Sequence, residues 1–263
     1  MDDNFFIITG IPRSGTTLLC RLLNLVQNVV CMNEIPAFYE VKDLSLNFNR
    51  VINRLRAGHL IPMNVNEKDE LLTDTQRQKN IIKNIFIETD PEKLILLGSK
   101  INIPYLNQLD LIHSQGIKAI AIIRDPIYAI ASWNQHQNIN EQYVMPEEFM
   151  QWPRYSTFPF EEKTLFGRQC EIWEHYINVI QAAQRDGRIG AVLKYEDIIA
   201  APESSIRFVF EYLTSFDASK LVIKYPVPVL ENFNIMQRFD QSQIISITRN
   251  VMRVCKTRRE IWG

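Results

Sequence analysis

The stretch IITGIPRSGTTLLCRLL, from Ile7 to Leu23, decides the fold. Gly10 and Gly15 have the spacing of the nucleotide-binding pattern G-x-x-x-x-G-K-[ST], but Thr16 stands where that pattern has lysine. A glycine-containing turn between a strand and a helix points successive backbone N–H groups at one spot, and such a spot binds an anion. The stretch therefore predicts a phosphate-binding loop in an α/β fold, with Arg13 as its nearest cation.

The backbone N–H groups of Ser14, Gly15, Thr16 and Thr17 are the expected ligands of that phosphate. A nucleotide hydrolase or kinase would use the missing lysine to reach the β- and γ-phosphates, with Mg²⁺ held by an adjacent Ser/Thr and a strand-end aspartate. The apolar run 117–123, a candidate strand, is instead followed by Arg124. The loop is therefore suited to a smaller, singly charged reacting group.

Short apolar runs alternate with helical patterns along the chain. Because the runs lack polar alternation, they indicate strands that are covered by helices on both faces. The predicted strands are 5–9, 28–32, 93–98, 117–123 and 189–195, and the predicted helices are 16–27, 39–57, 67–88, 104–115, 126–137, 161–186 and 202–214. This order predicts a three-layer α/β fold of the P-loop type, with a central parallel sheet flanked by helices. Ligands of such sheets bind outside the carboxyl ends of the strands.

The composition excludes several classes of protein. With 29 Lys and Arg against 30 Asp and Glu, the net charge is −1, which argues against nucleic acid or an anionic membrane as the main partner. The four cysteines have no C-x-x-C spacing, which favours free thiols in a reducing compartment. No basic leader and no run of ~20 apolar residues is found. We expect a soluble cytoplasmic protein with one domain over 1–263.

The segment IIRDPIYAIASW, residues 122–133, follows the third of the four clearest runs. Arg124 lies at the predicted strand end, Asp125 and Pro126 can cap and start a helix, and Ser132 lies about two turns into that helix. An arginine fork with a hydroxyl suits a terminal phosphate monoester. Taken alone, the same segment is also compatible with an ordinary helix start and a surface arginine.

Together, PRSGTT after the first strand and RDP with a serine eight positions beyond its arginine resemble the sulfotransferases that use 3′-phosphoadenosine 5′-phosphosulfate (PAPS). In that family the first segment binds the 5′-phosphosulfate and the second binds the 3′-phosphate. The segment LKYEDIIAAPESSIRFVFEYL, residues 193–213, is similar to the family's Y-E-D segment, which implies that Tyr195 lies near the adenine. Many cytosolic members differ by a lysine at the position of Arg13 and by a C-terminal K-G-x-x-G segment, which is absent after residue 214.

The resemblance also implies the catalytic residues. Glu34 lies 22 residues after Pro12, the spacing at which the tyrosylprotein branch of the family carries its catalytic glutamate, and a carboxylate beside a pocket can act as a base. Lys100 matches a lysine that contacts the reacting sulfonate and the leaving oxygen in that branch. Arg13 would serve the same oxygens. Other branches use histidine, so His136, near the 3′-phosphate segment, is the alternative base.

The acceptor side carries less information. A helical insertion at about 35–90 and a loop region at about 138–160 fall where α/β enzymes build acceptor pockets. Aromatic residues of the loop region could stack on a sugar or pack on the core: Trp152, Tyr155, Phe158 and Phe160. The sequence therefore predicts an enzyme that transfers sulfonate, without a metal ion, to a hydroxyl, or second an amine, of a small molecule, carbohydrate or peptide. A P-loop kinase or other phosphotransferase and a catalytically silent nucleotide-binding homologue remain alternatives, and the oligomeric state is open.

Overall fold

A computed structural model describes residues 4–72, 81–135, 144, 158–214, 221–224, 226–228 and 235–262. The strands are β1 Asn4–Gly10, β2 Val29–Asn33, β3 Ile61–Val65, β4 Ile81–Ile85, β5 Leu96–Lys100, β6 Lys118–Ile123 and β7 Ala191–Lys194. The helices are α1 Thr16–Leu23, α2 Leu44–Arg56, α3 Ile103–Leu106, α4 Leu109–Ser114, α5 Pro126–Trp133, α6 Leu165–Arg185, α7 Tyr195–Ala200, α8 Pro202–Thr214, α9 Gln241–Val254 and α10 Thr257–Trp262. Short 3₁₀ turns occupy Pro36–Phe38, Val41–Asp43 and Ile235–Arg238.

The five predicted strands form one parallel sheet in the order β2-β5-β1-β6-β7. Strand β1 is central, and its last residue, Gly10, pairs with Ile122 of β6. Because every strand of this sheet is parallel, all five carboxyl ends lie at the same edge. This confirms the predicted three-layer fold of the P-loop type.

Helices cover both faces of the sheet, as the apolar runs predict. Phe6 and Ile8 of β1 pack with α1, α7 and α8 on one face, whereas Ile7 packs on the other face with α2 to α6 and α9. All three side chains are fully buried. Each such burial stabilises the fold by roughly 2 kcal/mol, so the two-sided core holds the strand ends in fixed positions.

The insertion at 35–90 differs from the prediction. It contains helix α2, but β3 and β4 pair as an antiparallel hairpin, so the predicted helix over 67–88 is wrong at Ile81–Ile85. The run IIKNIFI is rich in β-branched residues, and pairing with β3 decides its conformation. The insertion is therefore a mixture of helix and hairpin; residues 73–80 lie outside the described residues.

Beyond α8 the chain forms an arm, α9 and α10, which we call the C-terminal arm (241–262). Helix α9 begins with a capping box between Asp240 and Gln243, and it buries Ile247 and Val251 against the face that carries α5 and α6. The hydroxyl of Thr257 in α10 donates to Glu174 Oε1 of α6 (2.6 Å). The arm is thus packed on the layer that includes α5. Across the described ranges, every helix is too short or too polar to cross a membrane.

Candidate functional site

The residues singled out in the sequence meet at the carboxyl edge of the sheet. The loop 11–15 joins β1 to α1, Glu34 directly follows β2, and Lys100 is the last residue of β5. Arg124 directly follows β6, and Tyr195 follows β7 as the first residue of α7. The predicted strand 93–98 is observed at Leu96–Lys100, so Lys100 belongs to the strand itself.

The loop after β1 has the geometry of an anion site. Gly15 is the N-cap of α1 with φ 91°, and no side chain caps the helix. The N–H group of Ser14 donates to the carbonyl oxygen of Ile11 (3.2 Å), which closes a turn inside the loop. Gly15 and the first two residues of α1, Thr16 and Thr17, carry N–H groups at the start of the helix, where an anion is favoured.

Gly15 is required at its position for two physical reasons. Its left-handed backbone costs an L-residue about 1–2 kcal/mol. In addition, a Cβ atom at this position would lie 2.4 Å from Cδ2 of Tyr195, well inside van der Waals contact. The glycine therefore allows the loop after β1 to contact the tyrosine of α7.

Thr16 explains the missing lysine of the loop. Its side chain is buried, and its hydroxyl donates to Oδ1 of Asn102 (2.8 Å). The hydroxyl of Thr9 donates to the carbonyl oxygen of the same asparagine (2.7 Å). At the position where nucleotide hydrolases have lysine, this chain therefore has a threonine whose side chain binds Asn102, just beyond the end of β5. Sequence reasoning missed Asn102, although its place two residues after β5 was a usable signal.

Lys100 and Glu34 form an ion pair in which Nζ and Oε1 are 2.5 Å apart. The lysine side chain is 2% exposed and the glutamate side chain 38% exposed. The backbone N–H of Glu34 also donates to the carbonyl oxygen of Lys100 (2.9 Å), and Glu34 has φ 52°. A left-handed non-glycine residue is strained and persists where its surroundings hold it. The pair therefore presents a reachable carboxylate above a buried ammonium group.

Asparagine side chains tie this pair to the loop and to the hairpin. The hydroxyl of Thr17 donates to Oδ1 of Asn33 (3.4 Å), and the backbone N–H of Asn33 donates to Oδ1 of Asn64 in β3 (2.9 Å). Nδ2 of Asn64 is buried without a hydrogen-bond partner. Through Asn64 the insertion contacts Asn33, the residue that precedes Glu34. The sequence patterns did not reveal these contacts.

Arg124 is held from three directions. One Nη atom donates to the carbonyl oxygen of Arg13 (3.1 Å), and the guanidinium carbon lies 4.1 Å from the ring centre of Tyr195. Trp173 Nε1 donates to the carbonyl oxygen of Arg124 (3.3 Å). Burial lowers the pKa of the Arg124 guanidinium, while Tyr195 and Glu196 act in the opposite direction. Arginine is too basic to lose its proton in proteins, and the group is therefore a cation.

Helix α5 is bound directly to the loop. Nε of Arg13 donates to Oγ of the buried Ser132 (3.2 Å), and Trp133 Nε1 donates to the carbonyl oxygen of Pro12 (2.8 Å). Arg13 has φ 67°, which is also left-handed. The structure thus places Arg13 against the residue expected to bind the 3′-phosphate, so this arginine bridges the two halves of the site.

Two buried polar atoms beside the loop have no partner: Oγ of Ser14 and Nε of Arg124. Buried donors are almost always satisfied in native proteins, so each such atom requires an explanation. Both can donate a hydrogen bond, and both belong to segments predicted to bind phosphate. An anion at this edge would satisfy them.

Several of the predicted residues are not among the groups described above at the carboxyl edge of the sheet. His136, Trp152 and Tyr155 lie outside the described residues. Phe158 packs against Phe160 (centroids 4.8 Å apart) and edge-on against His175 (5.4 Å). In the part of the chain that the structure describes, no group of three or more His, Cys, Asp or Glu side chains could hold a metal ion.

The chain thus has a fold of the P-loop type that brings a glycine loop at a helix N-terminus, a buried arginine and a lysine–glutamate pair to one edge of a parallel sheet. The sequence model of the sulfotransferase family matches residues 6–217, and the chain therefore belongs to the sulfotransferase family. Every site residue described above lies within that match, whereas the C-terminal arm lies beyond it. No curated protein sequence matches the chain.

Two solved structures align with almost the whole chain, although their sequence identity to it is low. A sulfotransferase from Alicyclobacillus acidocaldarius is 11% identical with a TM-score of 0.45, and the alignment covers 97% of this chain and 96% of that one. Mouse sulfotransferase SULT7A1, complexed with PAP, is 12% identical with a TM-score of 0.45, covering 99% and 90%.

Proposed function

We propose that the protein transfers a sulfonate group from PAPS to a hydroxyl, or second an amine, of a small-molecule, carbohydrate or peptide acceptor. The observation that carries this proposal is the Lys100–Glu34 pair beside a glycine loop whose lysine position is occupied by the inward-facing Thr16. A nucleotide hydrolase needs that lysine, whereas sulfonate transfer needs a base, a cation and an anion-binding loop. Membership of the sulfotransferase family supports the same reaction.

The residues present fit the donor. The N–H groups of Gly15 to Thr17 and the unpartnered hydroxyl of Ser14 would hold the 5′-phosphosulfate. The unpartnered Nε of Arg124 and the hydroxyl of Ser132 would hold the 3′-phosphate. Tyr195, whose ring lies against Gly15 and Arg124, would lie near the adenine. The donor supplies an activated sulfonate on a good leaving group.

Glu34 and Lys100 divide the chemistry between them. The acceptor oxygen forms a bond to sulfur as the bond from sulfur to the bridging oxygen breaks, and that oxygen leaves with the electron pair on 3′-phosphoadenosine 5′-phosphate (PAP). Glu34 accepts the acceptor's proton. Protonation removes the negative charge that neutralises Lys100, so the ammonium group becomes available to stabilise the charge on the leaving oxygen. The 2.5 Å contact couples the two events.

The acceptor side and the cellular location complete the proposal. The hairpin that carries Asn64 approaches Glu34 through Asn33, so the insertion is the proposed wall of the acceptor pocket. The four cysteines are buried and free, which supports a reducing, cytoplasmic location.

The decisive experiment measures transfer of radiolabelled sulfonate from PAPS to a panel of alcohols, sugars and peptides in the presence of EDTA, beside an assay of ATP hydrolysis with Mg²⁺. Transfer without metal and without ATP hydrolysis supports the proposal. Mg²⁺-dependent use of ATP would replace it with a kinase. Calorimetric titration with PAP, ATP and AMP distinguishes a third possibility, a catalytically silent homologue. Tight binding of PAP with no transfer to any acceptor would indicate such a protein.

A further inference from the structure

Asp125 occupies the junction between Arg124 and the helix that carries Ser132. It is the N-cap of α5, and its carboxylate accepts a hydrogen bond from the N–H of Ile127 (2.9 Å). Its own N–H donates to Oε1 of Glu196 (3.2 Å). The residue is 5% exposed, so its negative charge is buried beside the proposed phosphate site.

The partner of this charge comes from the opposite end of the chain. Nε of Arg258 donates to both carboxylate oxygens of Asp125 (3.1 Å each), and Nη2 donates to Oδ2 (2.6 Å). The two residues are 133 positions apart. The hydrogen bonds raise the pKa of Arg258. This fork is the bidentate geometry in which an arginine binds a carboxylate most strongly.

Arg258 is itself anchored by the C-terminal arm. The N–H and hydroxyl of Thr257 bind Glu174 (3.1 and 2.6 Å), and Nζ of Lys194 donates to the carbonyl oxygen of Ile261 (2.7 Å). Trp262 packs against Trp173 (centroids 6.1 Å apart). Because Trp173 binds the carbonyl oxygen of Arg124, the arm reaches the arginine along a second route.

A buried carboxylate that loses its partner becomes strongly destabilising and attracts the nearest cation. Arg124, the preceding residue, already interacts electrostatically with Asp125. An unpaired Asp125 would therefore compete with a bound phosphate for that guanidinium and repel the phosphate itself.

We propose that Arg258 is a positioning residue for recognition of the 3′-phosphate: its fork on Asp125 fixes the start of α5 and leaves Arg124 free to bind the phosphate. The inference rests on the proposed function and extends the site to a segment outside the family match. The C-terminal arm is accordingly part of the nucleotide site, although none of its residues has to touch the nucleotide.

The test compares the affinities of PAP and AMP, which differ by the 3′-phosphate. In Arg258→Ala, PAP affinity falls by roughly tenfold or more and AMP affinity changes by less than about twofold. Arg253→Ala is the matched control, because it removes another ion pair of the same arm, with Glu162, and leaves the ratio of the two affinities at its wild-type value. Thermal melts of each variant set the temperature at which all are folded. If Arg258→Ala does not fold, Arg258→Lys, which keeps the charge without the fork, takes its place.

A rescue variant separates positioning from general stability. Asp125→Asn in the Arg258→Ala background removes the orphaned charge and keeps a good helix cap, so PAP affinity should return to within about threefold of wild type. An unchanged ratio of PAP to AMP affinity in Arg258→Ala, or the absence of rescue, overturns the inference. A wild-type protein that does not prefer PAP to AMP contradicts the proposed function instead, and the inference with it.

Discussion

The two ends of the site are constructed differently. At the end that we propose for the reaction, Glu34 is partly exposed and its side chain contacts Lys100. At the end that we propose for recognition, Arg124 and Asp125 are buried and bound by the loop, by α6, by α7 and by the C-terminal arm. A group that exchanges a proton must be reachable and free to change partner, whereas a group that only binds gains from being preorganised. Substitutions at the two ends should therefore affect different measurements.

The largest effect is expected at the reaction end. Glu34→Gln removes the base and should lower kcat for sulfonate transfer by about a hundredfold or more, because general base catalysis contributes that much. PAP affinity should stay within about twofold, since the carboxylate does not bind the nucleotide. Steady-state kinetics and calorimetry measure the two quantities, and Glu40→Gln, at an exposed glutamate near the start of the insertion, is the control. Full activity in Glu34→Gln would transfer the role of base to another residue, with His136 first.

The next largest effect is expected for Gly15→Ala, because Gly15 lies in the loop after β1 and contacts Tyr195, which stacks on Arg124. The left-handed backbone and the 2.4 Å approach to Tyr195 predict a loss of PAP affinity of roughly ten- to a hundredfold. Gly58 provides a matched control: its φ of 68° is also left-handed, but nothing lies within 4 Å of an added Cβ. Gly58→Ala should lower stability by about 1 kcal/mol and leave PAP affinity unchanged. Equal PAP affinities in the two variants would show that the contact with Tyr195 is unimportant.

Arg124→Lys should separate recognition from reaction. Lysine keeps the positive charge but loses the fork and the stacking on Tyr195, so PAP affinity should fall by about tenfold while AMP affinity is retained. With saturating PAPS, kcat should change little. Arg185→Lys, at the exposed end of α6, controls for the exchange itself. A parallel loss of AMP affinity would place Arg124 elsewhere than at the 3′-phosphate.

The smallest effect is expected for the ion pair of Arg253 with Glu162, which lies on the surface. Arg253→Ala should lower the free energy of unfolding by at most about 1 kcal/mol. Hydrogen bonding to Arg253 lowers the pKa of Glu162, so the pair stabilises the fold above the ordinary glutamate pKa, and this contribution disappears as the pH falls through the lowered value. Denaturant unfolding at neutral and acidic pH should therefore show the difference between wild type and variant shrinking in acid. A difference in unfolding free energy that does not change with pH would show that the Arg253–Glu162 ion pair does not contribute to stability.

Local patterns were sufficient for most of the sheet. Unbroken apolar runs identified the five parallel strands, and parallel pairing then required that the residues after them share one edge, which brought Arg13, Glu34, Lys100, Arg124 and Tyr195 into one site. The same patterns predict a helix at Ile81–Ile85, and this prediction is wrong because pairing with β3 decides the conformation of this β-branched run. Asn102 could have been found by the strand-end argument, because it lies two residues beyond β5.

The glycine spacing, the apolar periods and the strand-end charges are local properties of the chain, and they were enough to indicate the α/β fold, the phosphate loop and the family resemblance. The pairing of Lys100 with Glu34, the support of Asn33 by Asn64 and the fork of Arg258 on Asp125 join residues 66, 31 and 133 positions apart. No local period encodes such contacts, because they exist only once the two-sided core has packed the helices, the hairpin and the C-terminal arm around one sheet edge.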